Sequence, residues 1–171
     1  VPWVTSWSEE PQGGVAPCPS VDGQLAVGQA YKPGVGRPLY SRNHLFRQRK
    51  SVREMLCPMC GQPTMAGDRW SQTANRTTAD ELRQRGFGPA LPLDMADDRV
   101  LLNCGAIAPL HRACADAALE RCLSGMEDRG LKPFPSAWVI IPLWVEAKTS
   151  KPPVRNVRVV SFLQLVGVED E

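Results

Sequence analysis

Two short pairs of residues, far apart in the chain, constrain its fold more than anything else: Cys57-Pro58-Met59-Cys60 followed by Gly61, and His111-x2-Cys114. Cysteines separated by two residues can aim both sulfurs at one ion because the chain between them turns tightly. Gly61 accepts the positive φ that such a turn needs. His111 and Cys114, three apart at the expected start of a helix, share one helix face. The helix N-terminus also favours a thiolate at that place. Four sulfur and nitrogen donors in two such pairs make a closed tetrahedral set, as in structural zinc sites, whereas a catalytic zinc keeps one position open for water. The expectation is one structural Zn2+ held by Cys57, Cys60, His111 and Cys114.

Other readings of the cysteines stay open at this point. A redox pair of the thioredoxin type belongs in a βαβ setting, which the sequence does not offer. The six cysteines (18, 57, 60, 104, 114 and 122) form an even set. Yet the N-terminus shows no basic region followed by an apolar stretch, and the chain is longer than typical disulfide-stapled domains. Cys104, on an expected strand, is the competing fourth ligand, with burial as a small apolar residue its alternative. Cys122 lies two turns below Cys114 on the same helix face, where packing competes with ligation. Cys18 sits in a Pro-rich loop. His44, the other histidine, is expected at the exposed start of a helix, with a second metal or a catalytic role as its alternative.

At 171 residues the chain is expected to be one domain, residues 1–171. Its 14 glycines and 16 prolines call for much turn and loop, and a loop-rich core gains from a metal crosslink. The longest apolar run, 137–145, is interrupted by Pro142 and is too short to span a bilayer; a cytoplasmic location without membrane association is the expectation. Arginine outnumbers lysine 15 to 5 among an abundance of Ala, Gly and Pro, a composition suggesting a GC-rich source such as an actinobacterium or its phage.

Residues 1–24 read as an irregular N-terminal arm in which Trp3 and Trp7 share one face if extended. Residues 24–31 alternate as a strand. Residues 41–56 read as a helix capped by Ser41 or Asn43, with Leu45, Val52, Met55 and Leu56 on an apolar stripe. Thr78 and Glu81 form a capping box that starts a short helix closed by Gly86. Residues 100–104 read as a strand. A second main helix spans 111–129, with Cys114, Ala118 and Cys122 on its apolar face beside Leu119, Leu123 and Met126, and Gly130 ends it. Residues 137–168 read as a β-hairpin turning at 149–153. The expected fold is α+β: a zinc-centred core over 41–130, two main helices, and a C-terminal β-hairpin or small antiparallel sheet.

The order of knuckle, strands and ligand-bearing helix over 56–118 resembles the treble-clef zinc finger, with Cys57, Cys60, His111 and Cys114 at the matching places. The long interval between the pairs departs from that pattern and reads as an insertion in the hairpin. The segment GRPLYSRNHLFRQRKSVREMLCPMCGQPT, 36–64, resembles small uncharacterised actinobacterial and phage proteins in which a basic helix runs into a cysteine knuckle. That resemblance implies a metal site and adds little about function. Their downstream pair is two cysteines followed by a third, places held here by His111, Cys114 and Cys122.

Net charge is only +2, but six basic residues and no acid fall between Arg37 and Arg53. On a helix, Arg42, Arg49, Lys50 and Arg53 form one stripe with Phe46 inside it. With Arg47 they are the candidate nucleic-acid contact: cations on phosphate, an aromatic ring for stacking. The competing reading is a solvated helix face. Treble-clef nucleases need a histidine on the hairpin as general base, and no histidine lies between Cys60 and His111. Motifs for hydrolases, phosphate loops and zinc proteases are absent from the sequence. The reading leans away from an enzyme and toward a zinc-stabilised binding or adaptor protein, with nucleic acid as one candidate partner. The runner-up is a protein-interaction module that uses Trp-bearing strands, among Trp3, Trp7, Trp70, Trp138 and Trp144, or that pairs with a second copy through an exposed edge.

Overall fold

The computed structural model describes residues 1–72, 74–121 and 130–170. Strands β1 (Thr5–Trp7), β2 (Gln12–Pro17), β3 (Leu25–Gln29) and β4 (Pro38–Asn43) precede helix α1 (Leu45–Glu54). Strands β5 (Trp70–Ser71) and β6 (Asn75–Thr78), helix α2 (Ala79–Gln84) and strand β7 (Val100–Asn103) follow. Helix α3 is described over Arg112–Arg121, and strands β8 (Lys132–Pro133), β9 (Ala137–Lys148) and β10 (Asn156–Val168) complete the order. The expected continuation of α3 through Cys122, Leu123 and Met126 to residue 129 lies outside the described residues.

The expected C-terminal hairpin forms, with β9 and β10 antiparallel over almost their full length. It is the centre of something larger. One edge of β10 carries β9; its other edge pairs first with β3, in parallel at Val160–Ala26, and then with β7, antiparallel over Val166–Val168. Strand β2 extends the sheet beyond β3, and β6 beyond β7. A mixed six-stranded sheet therefore replaces the expected small antiparallel one, because β10 is long enough to serve two partners end to end.

Alternation along the strands assigns the two faces of the sheet. Leu102, Val160, Leu163 and Leu165 pack with Val52 of α1 and with Met55 just past its end, joined by Trp138 and Ile140. Their neighbours Leu101, Ile141 and Val166 turn to the other face and pack with Ala79 and Leu82 of α2. Helix α2 begins where its sequence says it should: Thr78 Oγ1 accepts from Glu81 N and Glu81 Oε2 accepts from Thr78 N, both sides of the capping box.

Two local expectations are corrected. Residues 41–43, read as the first turn of a helix over 41–56, belong instead to β4, which pairs with β1. His44 N donates to Val4 O at 2.7 Å, so the chain is still held as strand there, and His44 rather than Ser41 or Asn43 caps α1. The arm read as irregular contains β1, β2 and a turn of 3-10 helix at Pro19–Val21. A bulge between Gln12 and Val15, with Gly14 at φ 73°, lets the Gly-rich segment still pair with β3.

Candidate metal centre

Helix α1 stops abruptly. Met55 takes a left-handed conformation, φ 53°, while its N–H bonds Ser51 O. Ser51 Oγ donates to Leu56 O at 2.7 Å, and Thr64 donates to Met55 O through both its N–H and its hydroxyl. These bonds clamp the two ends of the loop 56–63. Inside it, Cys57 N donates to Gln62 O at 2.8 Å and Gly61 N to Cys57 O at 2.7 Å, which curls Cys57 and Cys60 onto one side. Gly61 has φ 75°, and a Cβ on it would sit 2.8 Å from the indole of Trp3. Trp3 N and Val4 N donate to Met59 O and Pro58 O. The first residues of the chain thus lie across the knuckle as a strap.

The second pair is delivered by the start of α3. Leu110 exchanges two hydrogen bonds with Trp70, 2.9 and 2.8 Å, so the segment before the helix is paired with the strand that leaves the knuckle. Asp68 Oδ1 accepts from Arg112 N at 2.7 Å, satisfying an orphan donor of the first turn. The Arg112 guanidinium lies 4.8 Å from the centre of the Trp70 ring. Leu110, Ala115 and Cys57 form a small core of their own, with Met59, Cys114 and Leu131 against it.

The four residues singled out by spacing are brought together. The donor atoms of Cys57, Cys60, His111 and Cys114 all lie within 4.8 Å of one another. His111 Nδ1 is 3.5 Å from Cys60 Sγ and 3.9 Å from Cys114 Sγ. A tetrahedral ion with metal–sulfur bonds of ~2.3 Å separates its ligands by roughly 3.5–3.8 Å, so small side-chain adjustments would suffice and the group can hold a metal ion. Orientation of the imidazole supports the same use. Its Nε2 lies 3.0 Å from Pro63 O, which can only accept, so the tautomer that donates there presents the Nδ1 lone pair to the sulfurs. The carbonyl of Pro63 is a functional group that the sequence did not single out; only the tight loop closure reveals it.

Charge follows from crowding. Burial, together with the neighbouring Cys57 and Cys60, pushes the Cys114 thiol up to about 12. Burial also opposes the Cys60 thiolate, but the Gln62 amide and hydrogen bonds from Cys57, Cys114 and His111 hold that thiol below its ordinary value. Three sulfurs cannot all carry charge side by side unless a cation neutralises them. Exposure is graded across the group: Cys57 is fully buried, His111 and Cys114 half-buried, and Cys60 exposed. Cys104, the competing ligand, lies elsewhere, 1 % exposed in the core between α1 and the sheet, its thiol pushed up to about 11 by burial. Cys122 lies outside the described residues.

The basic helix is a different matter. Of the five residues read as a phosphate-gripping set, Arg47 and Arg49 are 1 % and 2 % exposed and point inward. Arg47 makes a two-pronged ion pair with Glu10, 2.9 and 2.8 Å, and donates to Thr5 O. Glu10 is itself buried; burial works against its ionisation, yet Arg47 and the amides of Trp7 and Lys32 hold its carboxyl below the usual range. Arg49 donates to Val27 O of β3 and Ser161 O of β10. Beside it, Gln48 donates to Ala106 O and Leu163 O and accepts from Leu163 N. These side chains occupy the interval where β10 has left β3 and not yet met β7, and they supply the hydrogen bonds a neighbouring strand would have made. A face that reads as solvated is the seam of the sheet. Arg42 and Arg53 are exposed and Lys50 is half-buried, with Arg53 paired to Asp22 at 2.7 Å.

His44 is likewise internal. Its side chain is fully buried: Nδ1 accepts from Arg47 N and Nε2 donates to Ala30 O at 2.9 Å. Phe46, expected to be free for stacking, is half-buried and meets Tyr31 edge-on at 5.8 Å.

No protein-family model, no curated protein and no solved structure matches the chain. Among the described residues no helix is long and apolar enough to cross a membrane.

Proposed function

We propose that the chain holds one structural zinc ion through Cys57, Cys60, His111 and Cys114, in a treble-clef-like arrangement, and acts as a non-enzymatic binding or adaptor protein. One observation carries the reading: three sulfurs and an imidazole converge within 4.8 Å, with the imidazole turned toward them by Pro63 O. Three thiolates and a neutral imidazole suit zinc's preference for sulfur and nitrogen, and four protein donors leave no place for a reacting water. The treble-clef order is supported by the pairing of Trp70 with Leu110 just before the ligand-bearing helix, with β6, α2 and β7 as the insertion between them. When bound, the ion would crosslink the end of α1 to the start of α3.

The contact surface favoured by the geometry is for a protein partner. Trp144, 38 % exposed on β9, carries the Arg158 guanidinium 5.0 Å from its ring centre. The two residues border a groove of about 630 Å³ lined by Phe87, Ile140, Pro142 and Leu143. Aromatic and arginine side chains around an apolar trough are typical anchors of protein interfaces. Of the proposed nucleic-acid contacts, only Arg42 at the end of β4 and Lys50 and the Asp22-paired Arg53 on α1 keep access to solvent.

Two measurements test the reading. Elemental analysis of the folded, reduced chain is expected to give one zinc per chain; a folded chain without metal overturns the proposal. Binding to duplex and single-stranded DNA over a salt series is expected to be weak, with a log–log slope of about −2, the yield of two phosphate contacts. A slope steeper than about −4 would restore nucleic acid as the partner.

A further inference from the structure

Arg49 is a buried cation, 2 % exposed, with no carboxylate beside it among the described residues. Its terminal nitrogens donate one bond each to the neutral carbonyls of Val27 and Ser161. A guanidinium carries five N–H donors; the one on Nε has no hydrogen-bond partner. Stitching β3 to β10 accounts for two donors, and the Cys18 sulfur is a further hydrogen-bonding neighbour of the guanidinium; no carboxylate is paired with it among the described residues. Gln48, next to it, bridges main-chain groups with no charge at all. The seam itself does not require a cation, and a buried charge left unpaired is costly.

That cation lines a cavity of about 290 Å³ between α1 and the β2–β3 pair. Apart from Gln29, the other side chains of the wall are mostly apolar or aromatic, among them Ala16, Ala26, Tyr31, Phe46 and the buried thiol of Cys18, which lies against the guanidinium. Ala16, Pro17, Pro19 and Tyr31 are exposed, so the cavity opens to solvent between the β2 end and Tyr31. Its volume is at the lower end of small-molecule sites. A cation at the base of an apolar, aromatic-walled cleft fits a small organic anion whose charge meets the guanidinium and whose body meets the rings.

We infer that the cleft formed by Arg49, Cys18, Tyr31 and Phe46 is a binding site for a small monocarboxylate with an apolar or aromatic body. The site lies apart from the cysteine cluster and does not depend on the metal reading.

The test is calorimetric titration of the full chain with benzoate and, separately, with benzamide, its uncharged analogue. Benzoate is expected to bind at least tenfold more tightly than benzamide. It is also expected to slow alkylation of Cys18 by iodoacetamide at least threefold, read by peptide mass mapping. Ala16→Phe, an exposed rim position that leaves Arg49 and the sheet seam untouched, fills the mouth and should weaken benzoate at least tenfold without shifting the urea midpoint. Equal affinity for benzoate and benzamide, no detectable benzoate binding, or full binding to the Ala16→Phe chain would each overturn the assignment.

Discussion

Gln48→Met removes the hydrogen bonds of the seam between β3, β10 and β7 while keeping nearly the same side-chain volume. Gln48 is 1 % exposed and makes three bonds, to Ala106 O at 2.9 Å, to Leu163 O at 2.7 Å and from Leu163 N at 3.0 Å. The thioether replaces none of them. Each bond is worth about 1 kcal/mol net, and a buried N–H left without a partner costs about 1–3 kcal/mol. Leu163 N is the group orphaned most completely, because its N–H is spent on Gln48 Oε1 rather than on the β9 ladder, where Leu163 stands opposite Pro142. Gains from burying a more apolar side chain offset part of this, leaving about 3 kcal/mol. For a chain of this length that is a fall in Tm of roughly 6–12 °C. Urea unfolding of the metal-loaded protein measures it, with the exposed Gln84→Met as a control expected within about 0.5 kcal/mol of the wild type. A loss below 1 kcal/mol for Gln48→Met would refute the idea that α1 completes the sheet, and with it the reason for withdrawing Arg49 from the surface.

Arg47→Met should cost about 3–5 kcal/mol, because it strands the Glu10 carboxylate with no ion-pair partner among the described residues except the His44 ring, which is held toward its neutral form; the double variant Arg47→Met with Glu10→Gln should recover part of that loss in the same urea assay. Burial, with Arg47 and Arg49 adding to it, holds the His44 imidazole below its ordinary value, against the raising effects of Ala30 O and Glu10. Its contribution is therefore complete above the unfolded value of about 6.5 and is lost as pH falls below it, since the unfolded chain takes up the proton first. Stability measured from pH 8 to 5 should fall more steeply for the wild type than for His44→Asn, which keeps a cap without a titrating ring; parallel slopes would contradict this. Gly61→Ala meets both a φ of 75° and the Trp3 indole, so metal affinity should drop and the strap should detach, seen as a shift in tryptophan emission; unchanged emission and affinity would argue against the strap.

The sequence made the cluster of three cysteines and a histidine legible because its chemistry is local. C-x2-C-G fixes a turn by itself, and His111-x2-Cys114 fixes a helix face, so only the meeting of the two pairs had to be inferred. The capping box at Thr78 and Glu81 and the alternation along β9 and β10 were readable for the same reason. The fate of Arg47 and Arg49 was not readable. Arginine is exposed by default, and what overrides the default is remote: Glu10 lies 37 residues before Arg47, and Ser161 lies 112 residues after Arg49. Strand β4 was masked by its polar residues Ser41, Arg42 and Asn43, which suit a helix start as well as an edge. The double partnership of β10 was hidden too, since a strand of Asn156–Val168 does not announce that two others share one of its edges.

The central claim is that a metal joins the end of α1 to the start of α3. Structural zinc contributes apparent binding energies of about 10–16 kcal/mol in small domains, as much as the whole stability of a typical fold. The most direct measurement is zinc content by elemental analysis, made on the same sample before and after chelation under reducing conditions, with circular dichroism recorded at each step. The expected result is one zinc per chain at the start, loss of the tertiary signal as zinc leaves, and a Cys60→Ser chain that fails to retain the metal. A chain that is folded and reduced with no zinc, and whose unfolding midpoint ignores the chelator, would contradict the account.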